Sequence, residues 1–124
     1  VVERHNLQRF VEGARIRAAI AAAEGETSVP IAVSIAPYFW GSLRRTAERA
    51  FRKRRGVLIF VVPSRREFVV LGDADAHDVL GQPAWDAVVE TIQEHFRSGD
   101  PTRGLELAID QLGRRLAEHF PNDA

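Results

Sequence analysis

The sequence predicts an α/β domain built on a mixed β-sheet of three to four strands with α-helices packed on both faces. Residues 57–62, VLIFVV, form a continuous β-branched and aromatic run, the pattern of a strand covered on both sides. The run FVVL at 68–71 follows the turn-forming PSRRE segment, and a link that short favours an antiparallel hairpin. Helical periodicity precedes and follows these strands, and helices on both faces are the economical way to bury a central strand on two sides.

Each element has its own signal. Ile16, Ala19, Ile20 and Ala23 recur at i, i+3, i+4 and i+7, which sets them on one face of a first helix. Gly13 interrupts the pattern of Leu7, Phe10, Val11 and Ala14 upstream, at a cost of about 1 kcal/mol relative to Ala. Pro30 suits the first position of a strand, and the apolar run 31–36 ends at Pro37. Ser42 offers an N-cap to a second helix with Leu43, Ala47, Ala50 and Phe51 on its apolar face. The opposite face carries Arg44, Arg45, Glu48, Arg49, Arg52 and Lys53, which makes this helix basic and amphipathic.

After the hairpin a short helical turn is expected near residues 75–80. Pro83 occupies a first helical position ahead of Trp85, Val88, Val89, Ile92 and Phe96, with Gly99 as the stop. Asp100 caps and Pro101 opens a last helix whose apolar face is Leu105, Ala108, Ile109, Leu112 and Leu116. The order is therefore α-β-α-β-β-α-α-α. There are no internal repeats or linkers, and a chain of 124 residues is expected to be one domain spanning 1–124.

Composition narrows the function classes. No apolar run approaches the roughly 20 residues that span a bilayer, so the segment is expected to be soluble, with no transmembrane segment in this chain. The chain does not begin with Met, so a signal or anchor outside these residues stays open. Cysteine is absent, which removes disulfides, thiolate nucleophiles and thiolate zinc sites together and leaves the compartment, cytoplasmic or extracytoplasmic, undetermined.

The net charge of zero conceals segregation. Residues 44–66 hold nine Arg or Lys against Glu48, while residues 73–123 hold eleven Asp or Glu against four Arg. Such a distribution either marks a basic surface for an anionic partner or pairs internally on folding. Nucleic acid is disfavoured because no recognition motif or interleaved aromatics accompany the basic stretch.

The chemistry-bearing stretch is LGDADAHD at 71–78. Asp73 and Asp75 directly follow a strand, and hard oxygen ligands converging there suit Mg2+ or Ca2+. The structural alternative is that Asp73 or Asp75 caps the short helix and Asp78 interacts with its dipole. Glu24, at the end of the first helix beside the first strand, is the best additional ligand candidate. Arg55 precedes the hairpin and Arg65 lies in its turn, and both could hold phosphate bidentately or lie solvated.

Other catalytic classes lack their parts. A D-x-D after a strand is shared with haloacid-dehalogenase phosphatases, but those need a downstream Lys, and Lys53, the one lysine, lies upstream. No G-x-S-x-G, P-loop or dinucleotide-binding glycine pattern occurs. His5, His77, His95 and His119 form no helical H-x-x-x-H pair, which disfavours zinc.

An ordered set of short motifs runs through the chain: Glu24, Thr27 and Ser28 after the first helix, GVLIFV at 56–61, LGD at 71–73, Trp85, Phe96 with Gly99, Gly104 with Leu105, and a closing Phe120 and Pro121. This set resembles the TPM domain family. The resemblance implies a TPM-like α/β fold and a divalent-metal site, Ca or Mg, near Glu24, Asp73 and Asp75. It also implies a possible metal-dependent phosphatase with Asp73 and Asp75 catalytic and a phosphorylated small molecule as substrate, held by Arg55 and Arg65. The alternative is a non-catalytic protein-interaction or assembly module, membrane-associated through parts of the protein outside this chain. The departures fall near that site: Arg55 replaces a usual Asn, Pro30 a usual Glu, and Asp75 with Ala76 a usual Gly-Ile pair.

Overall fold

The computed structural model describes residues 11–35, 45, 48–49, 55–63 and 67–122. Among them, α1 (Gly13–Glu26), β1 (Ile31–Ile35), β2 (Val57–Val62), β3 (Glu67–Gly72), α2 (Ala74–Arg97) and α3 (Pro101–Ala117) succeed one another. The three strands lie in the order β1-β2-β3. β1 runs parallel to β2, with Ile31 opposite Val57, and β3 returns antiparallel, with Gly72 opposite Val57. The sheet is mixed, as the short hairpin link and the longer link before β2 require.

All six β2 residues are buried, so both faces of the central strand are covered. Val57, Ile59 and Val61 join Ile31 and Ile35 against the helices, in a core with Ile16, Trp85, Ile92, Leu105, Ile109 and Leu116. The alternate residues Leu58, Phe60 and Val62 form a separate cluster with Ala32, Val69 and Leu71 on the other face. Each fully buried aliphatic side chain of this kind contributes roughly 1.5–3 kcal/mol. The basic second helix expected over residues 42–53 lies outside the described residues, except for Arg45, Glu48 and Arg49, which are helical and exposed.

Two helix boundaries sharpen the sequence expectation. Gly13, where the upstream periodicity breaks, opens α1, and the Glu12 N–H ahead of it donates to the Thr102 hydroxyl at 3.0 Å. The short helical turn expected near residues 75–80 and the helix opened by Pro83 are both present within α2, separated by Gly81, whose φ of 75° and ψ of 161° are non-helical. Pro83 stands two residues after Gly81, at the start of the second segment, where its missing N–H costs no helical bond. α3 begins as expected, with the Asp100 side chain accepting the Arg103 N–H and Pro101 in the first turn.

α3 is the hub of the helical layer and packs closely on both neighbours. A Cβ at Gly113 would lie 2.9 Å from the Ala23 Cβ of α1, and one at Gly104 would lie 2.6 Å from the His95 Cβ of α2. Arg15 of α1 bonds Glu106 of α3 and, at 2.6 Å, Glu12, an arrangement that raises the Arg15 pKa chiefly through the Glu106 hydrogen bond. Being exposed, this cluster adds little to stability. No helix among the described residues is long and apolar enough to cross a membrane.

Candidate functional site

The strand-end aspartates lie where β3 hands over to α2. Asp73 is the N-cap of α2: its Oδ1 accepts the Ala76 N–H at 2.9 Å. Its Oδ2 accepts the Gly56 N–H at 2.6 Å, and its own N–H donates to the Gly56 carbonyl at 2.9 Å. One side chain thus satisfies an orphan donor of the helix and ties that helix to the start of β2. The capping role weighed from sequence is present, together with a cross-link that sequence reading did not anticipate.

Gly56 makes this cross-link possible. Its φ is +91°, and a Cβ there would lie 2.0 Å from the carbonyl oxygen of Pro30, so only glycine fits. That Pro30 carbonyl also accepts the Val57 N–H at 2.9 Å, which brings the entrance of β1 against the entrance of β2.

The junction opens into a cleft of about 60 Å³ walled by four separate stretches: Ser28 to Pro30, Arg55 with Gly56, Asp73 with Asp75 and Ala76, and Phe120. A water needs roughly 10–15 Å³ of such space, so the cleft accommodates several waters or a small ligand. Asp75, in the first turn of α2, and Arg55 are both exposed. His77 lies nearby with its ring 4.8 Å from that of Trp85, beneath which Gly72 leaves no room for a Cβ.

Of the residues singled out from sequence, the fold brings Asp73, Asp75 and Arg55 together in this cleft. Glu24 is not among its walls. It is exposed near the end of α1, where its backbone carbonyl accepts the Asn122 side-chain amide at 2.8 Å. Arg65 lies outside the described residues, as does most of the basic surface expected from residues 44–66. Among the described residues, no three His, Asp or Glu side chains gather as a metal-holding group. Pro30, standing where the resemblance leads one to expect Glu, supplies an apolar wall in place of a further carboxylate.

Sequence reasoning missed Phe120 as part of the site. The buried Thr27 hydroxyl donates to the Phe120 carbonyl at 2.6 Å, the Ser28 N–H donates to the same oxygen at 3.0 Å, and Thr27 bridges Pro121. The Asn122 N–H completes the strap by donating to Glu26. The signal was present as two motif fragments at opposite ends of the chain, Thr27-Ser28 and Phe120-Pro121, which nothing in the sequence says are adjacent.

Comparison with known families matches residues 5–115 to the TPM domain. The chain belongs to the TPM domain family. Its fold is similar to the NMR structure of the BA42 protein from the psychrophilic bacterium Bizionia argentinensis, with a TM-score of 0.80 and 30% sequence identity over 90% of this chain and 85% of that one. No curated protein matches the chain. For a TPM domain, the convergence of Asp73 and Asp75 beside Arg55 makes this cleft the candidate site.

Proposed function

We propose that this TPM domain binds a divalent cation in the Asp73–Asp75 cleft and acts on phosphate monoesters with modest efficiency. The observation that carries the reading is the placement of two carboxylates and one guanidinium around a single small cleft. The donor set fits Mg2+ better than Ca2+. Mg2+ is typically held by one or two carboxylates and keeps positions for water and phosphate, whereas Ca2+ takes six to eight oxygens. The TPM family is also named as a phosphatase family, in line with this reading.

The residues divide the work by their bonding. Asp73 has one N–H bond on each oxygen, so its orientation is held by Gly56 and Ala76 while lone pairs remain on both oxygens. Asp75 contributes a second carboxylate from the adjacent helical turn. A divalent cation held there would supply Lewis acidity toward a phosphoryl oxygen. Arg55, which also lines the cleft, carries the donor fork that matches a phosphate bidentately. A non-catalytic interaction module is the second reading, favoured by the commitment of Asp73 to the backbone.

Titration with Mg2+ and Ca2+, followed through the backbone amides of Gly56 and Ala76, tests the binding, and hydrolysis of an aryl phosphate tests the chemistry. Asp75→Asn is the informative variant because Asp75 makes no cap or cross-link. It should weaken Mg2+ binding about ten-fold or more and remove metal-dependent turnover, with the fold intact. Shifts confined to the acidic outer faces of α2 and α3 would overturn the site assignment. Binding without turnover would select the interaction module.

A further inference from the structure

Among the described residues both outer strands of the sheet have an unpaired edge, but the two edges differ. β1 is five residues long and lies between Pro30 and Pro37 in the chain, and its end residues Ile31 and Ile35 are buried. Prolines and short length are usual means of blunting an edge against further pairing. β3 is six residues long, half-buried throughout, with no proline and no charge after Glu67.

The register identifies the groups on that open edge. The Asp73 N–H donates to the Gly56 carbonyl at 2.9 Å, so Gly56 and Asp73 are a bonded pair continuing the β2–β3 ladder. Bonded and non-bonded pairs alternate in an antiparallel ladder. Leu71, Val69 and Glu67 are therefore bonded to β2, and Phe68, Val70 and Gly72 turn their N–H and C=O groups outward. Among the described residues no further bond reaches these outward groups.

The two ends of β3 are oppositely charged. The turn leading into it contains Arg65 and Arg66, and the chain leaving it contains Asp73, Asp75 and Asp78, of which Asp75 and Asp78 are exposed. A second copy of β3 laid antiparallel sets each basic end beside the acidic end of the other, twice over. A parallel copy sets like charge beside like. We propose that the outer edge of β3 is a self-association surface, at which two copies pair antiparallel about a two-fold axis into one sheet with three strands from each copy.

Symmetry restricts the register. Directly opposed residues share a face of the sheet, so the axis must pass between a residue and its own copy. For the fullest overlap of the two strands that residue is Val69 or Val70. Centring on Val70 sets Glu67 opposite Asp73 of the second copy, two carboxylates in a directly opposed pair. Centring on Val69 avoids this and sets Phe68, which shares the helix-covered face with Val70, opposite Val70 of the second copy, a favourable aromatic and β-branched pair. A single strand pair is a small interface, so the dimer forms in the micromolar to millimolar range.

Sedimentation equilibrium of the whole chain across that range measures the association, and amide hydrogen exchange at its two extremes locates it. A reversible monomer–dimer equilibrium is expected. Exchange at the outward Phe68 and Val70 amides should slow about ten-fold or more in the dimer. Exchange at Val69 and Leu71, already bonded to β2, should change by less than about two-fold. Val70→Pro removes an outward N–H without breaking the β2 ladder, a change that edge strands accept, and should abolish the dimer. Arg66→Glu leaves the strand itself unaltered, sets like charges together at both ends of the pair, and should weaken association about five-fold or more. If Val70→Pro does not fold, Arg66→Glu and the alternating exchange pattern decide the matter. A monomer throughout the range overturns the proposal and leaves the edge to an extended segment of another protein. A dimer whose Phe68 and Val70 amides exchange as in the monomer, or one of undiminished affinity in Arg66→Glu, also overturns it, because the copies would then meet elsewhere or without the charge match.

Discussion

Replacing Asp73 with alanine removes two interactions that the structure separates cleanly. The first is the cap on the Ala76 N–H, and loss of an N-cap side chain costs about 0.5–2 kcal/mol. The second is the bond to the Gly56 N–H at 2.6 Å. Gly56 is buried, and a buried donor left unsatisfied costs roughly 1–3 kcal/mol. Asp73 itself is only partly buried, so water recovers some of the loss, and the expected total is about 2–3 kcal/mol. With an unfolding entropy near 2.1 cal/mol/K per residue, each kcal/mol lost corresponds to about 4 °C for a chain of this length, so the midpoint should fall by about 8–12 °C. Thermal and urea unfolding followed by far-UV circular dichroism measure it. Asp73→Asn resolves the two parts, because asparagine still caps a helix but turns an amide N–H toward the Gly56 N–H; it should lose about half as much. Asp75→Ala, which breaks neither bond, should stay within about 0.5 kcal/mol of the parent. A loss below about 0.5 kcal/mol for Asp73→Ala would refute the cross-link argument and return Asp73 to a purely ligand-binding role.

Gly56→Ala should be the more damaging change, since the new Cβ meets the Pro30 carbonyl at 2.0 Å in a backbone conformation with φ +91°. A loss above about 4 kcal/mol is expected, seen as a midpoint lowered by more than about 15 °C or no cooperative transition; near-parental melting would show that the junction relaxes freely. Thr27→Val keeps the shape of a buried side chain and deletes the hydroxyl that donates to the Phe120 carbonyl. It should cost about 1–2 kcal/mol and speed hydrogen exchange at Ser28 and Asn122, whereas unchanged exchange there would mean the strap does not depend on that hydroxyl.

Much of the fold was legible because chain geometry alone writes it into local pattern. The VLIFVV run announced a strand buried on both faces, and β2 is buried at every position. Asp100 with Pro101 announced the start of α3, and Asp73 announced a cap. These signals involve residues a few positions apart, and the 2- and 3.6-residue periods connect them without reference to the rest of the molecule. Gly81 was less legible. A glycine two residues ahead of Pro83 signals a break, but the angle it takes, and hence the course of α2, has to suit the burial of Ala76 and Trp85 on either side of it in one core.

The candidate site divides along the same line. Sequence alone determined that this is one α/β chain with TPM-like motifs, no thiol chemistry, and paired carboxylates at a strand end. Tertiary structure decided which of the candidates meet. It set Arg55 beside Asp73 and Asp75, left Glu24 out, and carried Phe120 to the cleft across 93 residues through the Thr27 hydroxyl. It also gave Asp73 its second task, since Gly56 lies 17 residues away in sequence and 2.6 Å away in space. Contacts of that range are set by how buried faces stack and by which backbone donors then need partners. A linear pattern of residue types does not specify either one.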